Sequence, residues 1–189
     1  MTCSTRGEVT ALMAVALLVI DMLNPYEHED ADRLADNVKA IVDPLAALVA
    51  KAQESDAELV YVNDNYGDFA ATGRELVDRA LAGRHPELVE PLVPPEGCAF
   101  LQKVRHSAFY STALDYYLGQ RDVKTVILTG QVTEQCILYT ALDAYVRHLS
   151  VSVAHDAVAP IDRELGDAAI QMMRRNMRAE IVSAAQALN

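Results

Sequence analysis

Much of what this 189-residue sequence lacks is informative. It has only three cysteines, Cys3, Cys98 and Cys136, with no CxxC pair and no Cys/His ligand spacing. That argues against a disulfide framework and against a zinc site, and it fits a reducing cytoplasm. Positive charge is scarce: 16 Lys and Arg stand against 27 Asp and Glu, a net charge of −11. A chain without a basic excess is not a dedicated nucleic-acid binder, because neutralising phosphates needs a basic face. No apolar run reaches the ~20 residues of a membrane span. The run from Ala11 to Ile20 has only Arg6 ahead of it and ends at Asp21 without a convincing cleavage site. It reads as a buried first strand rather than a signal peptide. Repeats, low-complexity segments and domain linkers are absent as well. Half the residues are apolar, enough to build the core of one domain. A single domain over residues 1–189 is expected, with 1–10 as a flexible tail.

What is present alternates. Ala14 to Ile20 is continuously apolar, as a central parallel strand covered on both faces must be. Leu34, Val38, Ile41 and Val42 keep helical spacing. Asp43-Pro44 then predicts an N-cap and a helix restart, with Leu45, Leu48, Val49 and Ala52 continuing the face. Further strands are expected at Glu58 to Val62, Ala99 to Val104, Lys124 to Thr129, Val151 to Ala154 and Glu180 to Val182. Helices are expected at Gly73 to Ala82, Ser111 to Leu118 and 133–147, with a last one carrying Leu165, Ala169, Met172 and Met173. Pro91 to Gly97 reads as an extended connector and Asp156 to Asp162 as a loop. Strands alternating with helices imply right-handed βαβ units. The fold class is α/β: a three-layer α/β/α sandwich on a six-stranded, mostly parallel, Rossmann-like sheet.

In an open sheet of this kind the C-terminal strand ends face one crevice. Asp21 follows the first strand, Lys103 ends the third, and Cys136 lies in the first turn of the helix after Lys124–Thr129. A thiol at a helix N-terminus is expected to have a depressed pKa. Carboxylate, ammonium and thiol together can take a proton, stabilise a thiolate and attack a carbonyl. The plain alternatives are a core cysteine, a strand-end cap and a solvated edge lysine. His106, Asn24, Asn65, Tyr66, Phe109, Gln131 and Glu134 border the same edge and are candidate substrate contacts. Cys3 and Cys98 read as passive, and His155 as structural support for the loop after the fifth strand.

The segments ALLVIDMLN (16–24), LVYVNDNYGDF (59–69), KVRHSAFYST (103–112), TGQVTEQCILYTALDAYVR (129–147) and VSVAHDAVAP (151–160) occur in that order. Together they resemble the isochorismatase-like cysteine hydrolase superfamily, the group that includes nicotinamidases, N-carbamoylsarcosine amidases and biuret hydrolases. The resemblance implies Cys136 as nucleophile, Asp21 as general base and then acid, and Lys103 as electrostatic partner of both. It also implies a cis peptide at Val132-Thr133, with the N–H groups of Thr133 and Cys136 turned toward an oxyanion.

Three departures narrow the reading. Leu23 stands where many members carry Gln, and Tyr26 where many carry Phe. The loop Asp64-Asn65-Tyr66-Gly67-Asp68 has no histidine, so the metal-assisted binding of nicotinamidases is not expected, and neither a metal nor any other cofactor is implied. Members that cleave the vinyl ether of isochorismate generally lack the cysteine, so Cys136 favours C–N bond hydrolysis of a small amide or lactam, streptothricin hydrolysis being one conceivable case. The alternatives are ether hydrolysis and a silent relative that binds small molecules or senses thiol chemistry. No nucleic-acid or membrane partner is expected, and a homo-oligomer is.

Overall fold

Apolar runs separated by amphipathic stretches bury themselves best as a sheet sandwiched between helices. The computed structural model, which describes residues 14–189, has this form. Strand β1 (Ala14–Ile20) leads to helices α1 (Ala31–Val38) and α2 (Val42–Gln53) and strand β2 (Glu58–Asp64). Helices α3 (Gly73–Leu81) and α4 (Pro86–Val89) precede β3 (Ala99–Lys103). Then come α5 (Leu114–Gln120), β4 (Val123–Gln131), α6 (Leu138–Val146), β5 (Ser150–Ala159), α7 (Arg163–Asn176) and β6 (Glu180–Val182). The strand order is β3-β2-β1-β4-β5-β6. Every neighbouring pair is parallel, so the sheet is wholly rather than mostly so. The expected tail, and Cys3 with it, lies outside the described residues.

Strand alternation divides the core between the two faces. Leu17, Val19, Leu59, Tyr61 and Ile127 pack with residues of α1 to α4. Ala16, Leu18, Val60, Val62, Val126 and Leu128 pack with residues of α5, α6 and α7. Each such Leu or Val contributes roughly 1.5–3 kcal/mol by leaving water. The strand order reverses between β1 and β4, which makes their C-terminal ends the crevice of the sheet. Gly130, at φ 106°, sits at that junction. A Cβ there would collide with the Ile20 carbonyl oxygen, so only glycine lets the two strand ends come this close.

Several boundaries differ from expectation. Helix α2 starts at Val42 with Ile41 as its N-cap, so Pro44 falls inside the first turn. Its missing N–H costs nothing there, since first-turn N–H groups have no intrahelical partner. Pro86 opens the short α4, and the first two residues of the expected connector, Pro91 and Leu92, belong to a 3₁₀ turn at Glu90–Leu92 that follows it. Strand β5 continues to Ala159 past a register shift, where Val158 and Ala159 pair with Gly130 and Gln131. The loop expected from Asp156 is therefore largely strand, and His155 is an exposed strand residue rather than a loop support. Met173 is in the core, whereas Met172 is exposed. Among the described residues no helix is long and apolar enough to cross a membrane.

Candidate active site

The C-terminal ends of β1, β2, β3 and β4 bring four groups together. Lys103, the last residue of β3, is 1% exposed, and its Nζ lies 2.8 Å from Asp21 Oδ2. The same ammonium is 3.6 Å from Cys136 Sγ and 3.5 Å from Asp64 Oδ2. Asp21, the residue after β1, adopts φ 55° and donates its N–H to the Val62 carbonyl. Its Oδ1 accepts the Asp64 N–H at 2.8 Å. A non-glycine residue at this φ persists only when its surroundings over-determine it. Asp21, Lys103 and Cys136, expected from the sequence to face one crevice, share one buried cluster.

Cys136 sits in a π turn, Thr133–Ile137, between β4 and α6. The Val132 carbonyl accepts from the N–H groups of Gln135 and Ile137 rather than from that of Cys136. π turns inside helices concentrate at functional sites. The cis peptide is at Gln131–Val132, one residue before the expected Val132–Thr133. Val132 is extended and its carbonyl caps the turn, so the cis bond lies on the β4 side of Val132 and not on the turn side.

Electrostatics correct another expectation. The thiol is not acidified by its place at a helix start. Burial pushes Cys136 well above the ordinary range, the Asp21 charge pushes it further, and Lys103 only partly opposes them. Burial also raises Asp21 against the pull of Lys103. Burial works to lower Lys103, but the charge of Asp21, with those of Asp64 and of Cys136 once it ionises, outweighs it and favours the ammonium form. Burial thus favours a neutral thiol over a standing thiolate in the resting cluster.

The other sequence candidates divide sharply. The Asn24 side chain accepts the Tyr26 N–H at 2.7 Å, and that of Asn65 accepts the Gly67 N–H at 3.0 Å. Tyr66 Oη donates to the Leu23 carbonyl at 2.8 Å. Gln131 Nε2 donates to the Asp21 carbonyl at 2.6 Å, and its Oε1 accepts from Tyr26 Oη at 3.4 Å. Glu134 Oε1 accepts from the N–H groups of Ile161 and Asp162. Phe109 is buried in the core, with the Arg147 guanidinium over its ring. These groups hold loops and core in place. Only His106 faces the thiol: its Nδ1 is 4.0 Å from Cys136 Sγ, and its ring stacks on Tyr139. His106 and Tyr139 also line a groove of about 260 Å³ with Arg105, Tyr110 and Leu142. Two larger clefts, of about 500 and 440 Å³, lie at the opposite sheet edge against the first residues of β5 and β2, and another of about 440 Å³ runs along Arg33, Asn37 and Asp162 past the end of β5.

Two residues were missed from the sequence. Asp64 had the same signal as Asp21, a carboxylate at a strand's C-terminal end, but stood in a turn-rich stretch. Asn63 is 2% exposed; its Oδ1 accepts the Leu23 N–H at 2.9 Å, and its Nδ2 donates to the Leu23 carbonyl at 3.1 Å. Nothing in the sequence distinguishes that clamp from a turn asparagine. Among the described residues no group of three or more His, Cys, Asp or Glu side chains is placed to hold a metal ion.

Comparison with known proteins adds to this geometry. The family model for the isochorismatase domain matches residues 15–186. Over 171 residues the chain is 33% identical to the isochorismatase family protein YaaI of Bacillus subtilis, covering 90% of this chain and 94% of that one. An isochorismatase-like hydrolase from Alkaliphilus metalliredigens has a similar solved structure, with a TM-score of 0.76 at 26% identity, covering 95% of this chain and 97% of the other. The N-carbamoylsarcosine amidase of Thermoplasma acidophilum is similar at a TM-score of 0.72 and 29% identity, over 92% and 98% of the two chains.

Proposed function

The chain belongs to the isochorismatase family, and on that premise we propose that it is a cysteine hydrolase that cleaves a C–N bond of a small amide or lactam. The observation that carries this reading is the buried Asp21–Lys103–Cys136 cluster at the point where the strand order reverses. Similarity to a protein named as an amidase supports the bond class. A reducing cytoplasm suits a free catalytic thiol.

In the proposed cycle Asp21 takes the proton from Cys136, and Sγ attacks the substrate carbonyl carbon. The carbonyl electron pair moves onto oxygen, where the N–H groups of Val132, the residue after the cis bond, and Cys136 hold it. As the C–N bond breaks, Asp21 passes its proton to the leaving nitrogen. Water, deprotonated by Asp21, then hydrolyses the thioester and frees the thiol. A base matched to this work sits above the ordinary carboxylate range, which is the direction burial moves Asp21. Each oxyanion donor contributes roughly 10²–10³ in rate.

The test is a panel of small amides, ureides and lactams assayed for ammonia or amine release with wild-type protein and Cys136→Ala. Turnover confined to the wild type is expected. Equal turnover by both would remove Cys136 from the mechanism. Turnover of isochorismate with none of any amide would replace the C–N reading with ether hydrolysis.

A further inference from the structure

We propose that Asp64 is the standing counter-ion of Lys103, keeping the ammonium charged and in place while Asp21 carries the thiol's proton. The inference rests on the hydrolase reading above and gives a role to a carboxylate that the three-residue cluster leaves unused.

Charge balance through the cycle leads to it. At rest Lys103 faces two carboxylates, Asp21 at 2.8 Å and Asp64 at 3.5 Å. The first step moves one proton from Sγ to Asp21, so Asp21 becomes neutral and sulfur negative. When sulfur forms its bond to carbon, the negative charge passes to the substrate oxygen. Asp21 and Cys136 are then both neutral, and Lys103 is still buried. A buried lysine without a counter-ion tends to lose its proton. The other titratable groups nearby do not supply the charge: His106 is against the thiol, and the Tyr66 phenol donates to the Leu23 carbonyl. Only Asp64 keeps a negative charge facing Nζ throughout.

The two oxygens of Asp64 do separate work. Oδ1 accepts the Tyr66 N–H at 2.8 Å, closing a turn that asparagine closes equally well. Oδ2 faces Lys103, and that contact alone requires a carboxylate. The Asp64 N–H meanwhile anchors Asp21 Oδ1, so one residue registers both partners. Asp64 is thus a positioning residue that acts through Lys103.

The experiment reads the ammonium directly. Protein labelled with ¹³Cε-lysine is titrated by NMR, the Lys103 signal being assigned by its loss in Lys103→Met. Asp21→Asn imitates the protonated base. In that variant Lys103 should stay charged through neutral pH, whereas in Asp21→Asn/Asp64→Asn its midpoint should fall by two pH units or more, a hundredfold change in proton affinity. Equal midpoints in the two variants overturn the proposal, as does loss of the Lys103 charge at neutral pH in Asp21→Asn alone. Asp64→Asn by itself keeps the turn and guards against misfolding of the double variant. It should lower the Lys103 midpoint about tenfold in proton affinity, with Asp64→Glu restoring it; an unchanged midpoint likewise overturns the proposal. The titration needs no substrate, so its failure leaves the outcome of the amide panel untouched, and the reverse holds.

Discussion

The two walls of the site are built on opposite terms. On the side of β1 and β2, the side chains of Asn24, Asn63, Asn65, Tyr66 and Gln131 are taken up by backbone partners at 2.6–3.1 Å. On the side of α6, His106, Tyr110 and Tyr139 are exposed, and the groove they line is open. Polar residues beside a reaction centre are thus of two kinds, and only free ones can read a substrate. The braced wall fixes where Asp21 stands, and the open wall is where pocket shape can change without unseating the base. Between the walls lies the cluster itself.

The largest expected effect is at the cluster. Cys136→Ala should lower turnover at least about 10³-fold, since a nucleophile cannot be replaced by positioning alone. Measured with the amide panel, a smaller loss would place the chemistry on a wall rather than between them. The cluster also sets the pH response. Asp21 is raised above its ordinary value of 3.8, so the acid limb of kcat/KM should lie above that value, the rate falling as pH falls through it. Stability should move the other way on the alkaline side. Lys103 is raised above 10.5, so its stabilising contribution is complete below 10.5 and is lost as pH rises through its folded value. Denaturant unfolding followed between neutral and strongly alkaline pH checks the sign, and Lys103→Met should flatten that fall.

Breaking the braced wall should cost folding before chemistry. Asn63→Ala leaves the Leu23 N–H without its partner, roughly 1–3 kcal/mol for a buried group, while the Leu23 carbonyl keeps the Tyr66 hydroxyl. In a protein of this size each kcal/mol corresponds to about 2–4 °C of Tm. A thermal scan showing no change would mean that the clamp does not support the loop.

The open wall should give the reverse pattern. His106→Ala should leave Tm within about 2 °C, because an exposed side chain is worth about 0.5 kcal/mol. It should change KM or the ranking of substrates about tenfold, the scale of one lost pocket contact. A drop in stability with unchanged substrate ranking would erase the distinction between the walls.

Much of this arrangement was legible in the sequence, for a physical reason. A strand buried on both faces must be a continuous apolar run, so Ala14–Ile20 was read to the residue. The same logic failed for β5, whose His155 and Asp156 interrupt the run at a register shift. Asp21, Lys103 and Cys136 stood out because topology sends strand ends to one crevice. Asn24, Asn65 and Gln131 could not be sorted, since a short polar side chain reads alike as a turn acceptor and as a ligand contact. Only the acceptor's partner decides, and that is a tertiary fact. The thiol's acidity was misread because the helix-start argument counts the dipole and ignores burial, which here has the stronger effect.

The smallest expected effect gives the sharpest test of the braced wall. Tyr26 is fully buried, its ring edge-on to His85, and its hydroxyl reaches Gln131 Oε1 at 3.4 Å. That bond is long and correspondingly weak. Gln131 holds Asp21 through its other end, the Nε2 donor at 2.6 Å, and the buried amide is packed on all sides. Tyr26→Phe keeps the ring and removes only the hydroxyl, so the cost should be about 1 kcal/mol or less, with kcat unchanged within about twofold. If kcat instead falls tenfold at unchanged Tm, the Tyr26–Gln131–Asp21 chain aligns the base as well as bracing the loop, and that wall belongs to the chemistry after all.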